Sequence, residues 1–192
     1  HEDHVGGVAH FLREFEAPIY GSSLAMAIAN SKIEWDRLSH RTSLHVLADN
    51  ERLKIGPFDI EVIPITHSVP QSFCVLVHTS QGVIVHTGDF KLDQTPVDNR
   101  LTNMDRLREI ASGSGVRLLM ADSTNADSPG HSESESSIGR TFERIFPTYS
   151  GKRMIIGCFA SHLHRIQQIV DVAISEGRKI FPLGRSMVNT VG

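Results

Sequence analysis

The sequence predicts an α/β protein in two unequal units, and three observations carry that prediction. Strand-length apolar runs bounded by turn residues recur between positions 43 and 90. Segments with apolar residues at helical spacing lie before and after them. Beyond residue 128 the pattern becomes strand, helix, strand, which reads as a βαβ unit. The expected division is therefore residues 1–127 and 128–192.

Taken in order, Val5, Val8, Ala9 and Leu12 repeat at helical spacing after an opening loop. "APIYGS" reads as a strand and "SLAMAIANSKIEWDRL" as an amphipathic helix. "SLHVLAD" and "ERLKIGPFDIEVIPITH" read as strands, the second folded by a turn at Gly56-Pro57. "SFCVLVHTSQGVIVHTGDF" is a hairpin whose two arms are apolar on both faces, which predicts a sheet covered on each side. A polar stretch then leads into the helix "MDRLREIAS" and the strand "GVRLLMADST". Ser132 and Glu135 have capping-box spacing and predict a helix running toward Phe146. "RMIIGCF" and "KIFPLG" read as strands around the helix "HRIQQIVDVAISEG", with Ile166, Ile169, Val170 and Ala173 as its buried stripe.

Composition narrows the class. In 192 residues, 40% are hydrophobic and 21% charged, as in a globular protein with a real core. No run of about 18 apolar residues exists for a membrane span, and the acidic, His-rich start is unlike a signal peptide. Cys74 and Cys158 lie far apart in apolar runs, which fits free thiols in a reducing cytosol. Residues 1–127 carry 11 basic and 17 acidic side chains, net −6, while residues 128–192 carry 8 and 5, net +3. An acidic unit with many of the 11 histidines beside a basic one suits a metal site next to a polyanion surface, or two ordinary solvated faces.

The opening "HEDHVGG" places His1, Asp3 and His4 within four positions. In an extended loop the first two would share a side and a turn would swing the third round, presenting ligands to two ions; taken alone, three polar residues at a terminus usually mean only a solvated loop. His67 closes the strand "IEVIPIT", and Asp89 closes "VIVHTG" after a glycine. Each is a ligand-type residue at a strand tip, where sites assemble, although singly each could be a hydrogen-bonded structural group. His40, His78 and His86 read as structural.

"HEDHVGG", "ITHSVPQS", "HTGDFKLDQTPVD", "ADSTNA", "FASHLHR" and "GRSMVN" follow one another as in bacterial ribonuclease J. Through them the chain resembles that family, in the β-CASP branch of the metallo-β-lactamase fold. The resemblance implies a partial αββα sandwich over residues 1–127, followed by the first part of a β-CASP domain over 128–192. The family loop reads H-x-H-x-D-H, so His1 resembles its second histidine, and the chain reads as a fragment truncated at both ends. By resemblance His1 and His67 would hold one Zn²⁺, Asp3 and His4 another, and Asp89 would bridge them, with Mn²⁺ as a possible substitute. Asp122 matches the acidic residue of the first β-CASP motif and would act with Asp3 and Asp89 in catalysis, orienting a ligand histidine; the competing role is a bond to the "STN" turn.

Ser161 reads as a helix N-cap, whose first free N–H groups favour anions. The residues alone fit an ordinary N-cap with exposed basic groups as well as an anion site; with the resemblance, Phe159, Ala160, Ser161, His162 and Arg165, with Arg185 and Ser186 of "GRSMVN", are the expected RNA or phosphate pocket. The resemblance implies a cytoplasmic 5′-to-3′ exoribonuclease and endoribonuclease of messenger turnover and ribosomal-RNA maturation. Its partner is RNA, no membrane is involved, and the full-length protein is a homo-oligomer. The competing readings are an RNA-binding fragment without catalysis and another dinuclear hydrolase of the same fold.

Overall fold

The structure is a computed structural model that describes residues 1–191, with the backbone alone at Asn189. Two short helices open it, α1 (Glu2–Val5) and α2 (Val8–Glu14), linked through Gly6 and Gly7. A Cβ at Gly6 would lie 2.4 Å from the Glu2 carbonyl oxygen, so the link closes only on a glycine. The opening segment is thus a helical turn, not the extended loop expected, because the His4 and Val5 amides both donate to the His1 carbonyl. β1 (Ile19–Gly21) leads to α3 (Ser23–Trp35), whose N-cap Ser22 accepts from the Ala25 amide. Leu12 of α2 and Ala29 and Ile33 of α3 form one buried cluster, over which Ile19 and Leu44 of the parallel pair β1 and β2 (Leu44–Val46) close.

The second body is a five-stranded sheet. β3 (Arg52–Ile55), β4 (Phe58–Pro64), β5 (Phe73–Thr79) and β6 (Gly82–His86) form an antiparallel meander with turns at Gly56-Pro57 and at 80–81, as the sequence predicts. The chain then crosses through α4 (Met104–Ser112), capped by Asn103, and returns as β7 (Val116–Met120), parallel to β6. Ile63, Cys74, Leu76, Val83 and Val85 bury against Ile110 and Leu107 of α4. Each such side chain contributes about 1.5–3 kcal/mol through loss of water contact.

The sheet is not covered equally on both faces, contrary to the expectation from its apolar arms. Val75, Val77 and Ile84, on the face away from α4, are half-buried, and Leu118 and Met120 are 49% and 47% exposed. Among the described residues, α4 alone supplies helical side chains to the central cluster; the other face is deeply buried at Val62, 2% exposed, and opens toward β7, whose Leu119 is 59% exposed even on the α4 side.

The third body pairs α5 (Ser136–Thr148) with α6 (Leu163–Ser175), around Phe146, Val172 and Ala173. Two expectations fail here for one reason. Residues 153–159 and 179–184 form no strand, because no neighbour supplies the ladder of hydrogen bonds that a strand requires. Residues 153–159 keep the alternation, however, with Met154 and Ile156 turned to the α5–α6 cluster while Ile155 and Phe159 are 87% and 80% exposed. The capping box also does not form: Glu135 occupies the N-cap of α5 without a side-chain cap bond. Asp93, reaching across from the loop after β6, accepts from the Glu135 amide and the Ser134 hydroxyl instead. The buried face of α6 differs from the apolar stripe expected and comprises His164, Gln168, Val172 and Ala173. A last helix, α7 (Arg185–Val191), follows. No helix among the described residues is long and apolar enough to cross a membrane.

Candidate metal centre and adjoining cleft

Five of the predicted metal-ligating residues converge. His1 is the N-cap of α1, and Asp3 and His4 lie in its single turn. His67 comes three residues after β4 and Asp89 three residues after β6. Asp89 follows Gly88, whose φ of +60° is the left-handed turn that glycine adopts freely. Ligand atoms of His1, His67 and Asp89 lie within 4.8 Å of one another, and so do those of Asp3, His4 and Asp89. Asp89 is shared: its Oδ1 is 3.2 Å from His4 Nε2 and its Oδ2 is 3.7 Å from His67 Nε2. His4 Nε2 is also 3.6 Å from Asp3 Oδ2. The His1 and His67 rings sit 4.8 Å apart, and the Ser68 hydroxyl lies 2.8 Å from His1 Nε2 and 3.3 Å from His67 Nε2.

This donor set fits divalent ions on its chemistry. Imidazole nitrogen and carboxylate oxygen are the ligands that zinc and manganese accept. Burial pushes His67 below the usual histidine value, more strongly than the Asp89 carboxylate raises it, so its ring offers a lone pair at neutral pH. One carboxylate with an oxygen toward each trio is an arrangement that can serve two adjacent ions.

Asp122 follows β7 at the same edge of the sheet. Its carboxylate accepts from the Thr124 hydroxyl at 2.6 Å, the Thr124 amide at 2.9 Å and the Phe90 amide at 3.4 Å. Those bonds, the hydroxyl foremost, hold it below the ordinary aspartate range. The geometry thus ties Asp122 to the "STN" turn and to the residue after Asp89, and forms no hydrogen bond from it to a ligand histidine.

A cleft of about 660 Å³ runs from these donors to the start of α6. His67, Asp89 and Asp122 line one end, and His162, His164 and Arg165 the other. Of the seven residues predicted to bind RNA or phosphate, only His162 and Arg165 line this cleft. Phe159, Ala160 and Ser161 do not, since the unpaired 153–159 segment turns Phe159 outward and helix α6 starts one residue later than expected. His162, not Ser161, is the N-cap, its ring nitrogen accepting from the Arg165 amide at 3.3 Å. Arg185 and Ser186 are exposed at the start of α7, outside the lining.

Sequence reasoning missed the residue that controls the basic end. Glu135 takes both guanidinium donors of Arg165 at 2.8 Å and stands 3.4 Å from His162 Nε2. Burial raises the Glu135 pKa, but the Arg165 bond and the nearby positive charge outweigh it and hold the carboxyl ionised. His162 is lowered by burial despite that carboxylate. His164 was equally invisible as a buried group; its Nε2 approaches Asp98 Oδ2 at 3.3 Å. The only local signal was a polar residue at i and i+4 on a face where apolar ones were expected.

The metallo-beta-lactamase superfamily model matches residues 1–141, and the model of the ribonuclease J beta-CASP domain matches residues 151–192. Ribonuclease J of Synechocystis sp. is 40% identical over 193 aligned positions, covering 100% of this chain and 30% of that protein. Ribonuclease J of Mycolicibacterium smegmatis is 38% identical, with 100% and 34% covered, and that of Thermus thermophilus is 38% identical, with 98% and 34% covered. The chain thus spans about a third of the length of these relatives. A crystal structure of a protein of unknown function from Enterococcus faecalis shares the fold at TM-score 0.60 and 17% identity, over 80% of this chain and 39% of that one. Matched along 1–141, and continuing into a beta-CASP segment of the ribonuclease J type, this chain belongs to the metallo-beta-lactamase superfamily.

Proposed function

We propose that the chain carries part of the active site of a metal-dependent ribonuclease that hydrolyses RNA phosphodiester bonds. The observation that carries this reading is Asp89, shared by two donor trios at one end of a cleft whose other end holds Arg165 and His162. Whole-chain similarity to ribonuclease J proteins supports the choice of RNA over other substrates of the fold.

His1 and His67 would hold one ion, Asp3 and His4 a second, and Asp89 both, with zinc as the resident metal and manganese accepted by the same donors. When bound, two adjacent divalent ions lower the pKa of water and neutralise the charge that builds on the phosphate. The chain's own residues do the positioning. Asp89 sets the spacing of the two trios, and the Ser68 hydroxyl, which lies against Nε2 of both His1 and His67, would yield those nitrogens to an ion. Asp122 fixes the Phe90 amide, and with it the backbone that presents Asp89. Arg165 supplies the positive charge at the other end, where an RNA phosphate would displace it from Glu135, and His162 offers a ring N–H beside it. Because such contacts go to phosphate, binding should be salt-sensitive and weakly sequence-selective.

The finer reading completes this. The full-length protein acts in the cytoplasm as a 5′-to-3′ exonuclease and as an endonuclease, in messenger turnover and ribosomal-RNA maturation, and assembles as a homo-oligomer. The division at 127/128 separates the metal-bearing unit from the phosphate-bearing one. Metal quantitation on the full-length protein, alongside cleavage of 5′-end-labelled RNA with DNA as competitor, tests the proposal. Two metal equivalents and preferential RNA cleavage are expected; absence of cleavage with zinc and with manganese overturns it.

A further inference from the structure

Pro96 and Val97 form a wall shared by the cleft and a second cavity, of about 510 Å³, which opens between the 94–101 loop and helices α5 and α6. Three carboxamides, Gln94, Asn99 and Gln168, and the Arg140 guanidinium line it without hydrogen-bond partners among the described residues. Gln168 is only 8% exposed, and its Nε2 is fully buried with no acceptor. Folding rarely leaves a buried donor unanswered, and a turn of this carboxamide toward the cavity would let a ligand answer it. Gly139 makes room for this side chain: a Cβ there would lie 2.5 Å from Gln168 Oε1.

The lining selects a chemical class. Pro96, Val97 and Val172 give flat apolar walls. Glu143 and Asp171 outnumber the single cation Arg140, so a phosphate would meet net repulsion. A neutral, planar heterocycle with alternating donors and acceptors meets none. Carboxamides pair with base edges through two hydrogen bonds at once, and proteins that read single-stranded RNA splay bases into such pockets. The volume lies within the range of small-molecule sites, about 300–1,000 Å³.

We propose that this cavity is a nucleobase subsite, which takes an unstacked base of a single-stranded RNA while the phosphate backbone crosses the neighbouring cleft. The inference rests on the RNA reading of that cleft. Its test uses the four ribonucleosides, without phosphate, titrated into the full-length protein in the absence of added metal and followed by ligand-observed NMR. At least one nucleoside is expected to bind, inorganic phosphate not to compete, and Gln168→Leu to weaken binding roughly fivefold or more, the loss of one well-placed hydrogen bond. Gln94→Leu, at an exposed position that leaves the core untouched, is expected to act in the same direction and reads the site even if Gln168→Leu unfolds. No nucleoside binding, binding unchanged in the folded variants, or displacement by inorganic phosphate overturns the subsite. Failure of the ribonuclease reading is distinct, because it appears as intact RNA in the metal-loaded assay, in which no free nucleoside takes part.

Discussion

His67 and Asp89 meet across an intervening strand: Nε2 of one lies 3.7 Å from Oδ2 of the other, although β5 separates β4 from β6. The meander explains this. β4 and β6 are both antiparallel to β5, so both deliver their C-terminal ends to the same edge of the sheet. β7 is parallel to β6 and brings Asp122 to that edge as well. Three chain segments separated by 22 and 33 residues in sequence thus contribute to one site because alternate strand ends coincide.

Asp89→Ala in the full-length protein is expected to retain the fold while losing at least one metal equivalent. RNA cleavage should fall by about 100-fold or more, since a shared ligand is removed rather than a supporting contact. Mass-spectrometric metal content and a labelled-RNA assay read both effects. Full metal content in the variant would rule out a ligand shared by two ions.

Glu135→Gln should release the Arg165 guanidinium, while His162, its pKa lowered by burial, loses the carboxylate that favours its charged form. RNA affinity is expected to rise at low salt, and the salt dependence to steepen by about one ion as Arg165 meets a phosphate. Fluorescence anisotropy with labelled RNA over a salt series measures the slope. An unchanged slope would show that Arg165 does not reach the backbone.

Glu61, 4% exposed, accepts from Arg106 at 2.6 and 3.0 Å and lies 2.7 Å from His78 Nε2. The Arg106 bonds, aided by His78, hold its pKa below the ordinary glutamate value despite burial. A folded-state pKa that is lowered adds stability above the unfolded value of about 4.3, and that stability is lost as pH falls through the lower folded value. Glu61→Gln should therefore cost about 1–3 kcal/mol at pH 7. The difference from the parent should shrink below about pH 4. Urea midpoints at pH 7, 5 and 3.5 (about the range that matters) test it, and a gap that does not change with pH would show that Glu61 is not the titrating group.

Burial pushes the Cys74 thiol up to about 11, and the side chain is fully enclosed, whereas Cys158 is half-buried. Because the thiolate is the reactive form, a disulfide exchange reagent at pH 8 should label Cys158 in the folded protein and Cys74 only after denaturant is added. Rapid labelling of both would mean that the sheet opens readily.

Much of the candidate site was legible in the sequence because its residues announce themselves locally. His67 and Asp89 each end an apolar run, and His1, Asp3 and His4 are crowded into one turn. The α4 helix and the hairpins β3–β4 and β5–β6 were legible for the same reason, their signals lying within a few residues of one another. The basic end of the cleft was not. Ser161 had the residue type of a cap, yet His162 serves, and Arg165 answers to Glu135, 30 residues away.

By itself, then, the sequence determined the strands and the longer helices of the first unit, though not the helical turn at its start, and which side chains are ligand-type groups at strand tips. Tertiary structure alone decided that Asp89 serves two donor trios and that Asp93 caps the helix after Glu135. It also decided that Gln168 faces a cavity and that residues 153–159 lack a pairing partner. Periodicity and turn chemistry are properties of neighbouring residues, whereas ion pairs, shared ligands, sheet pairing and a cap supplied by Asp93 depend on which distant surfaces meet when the chain closes on itself.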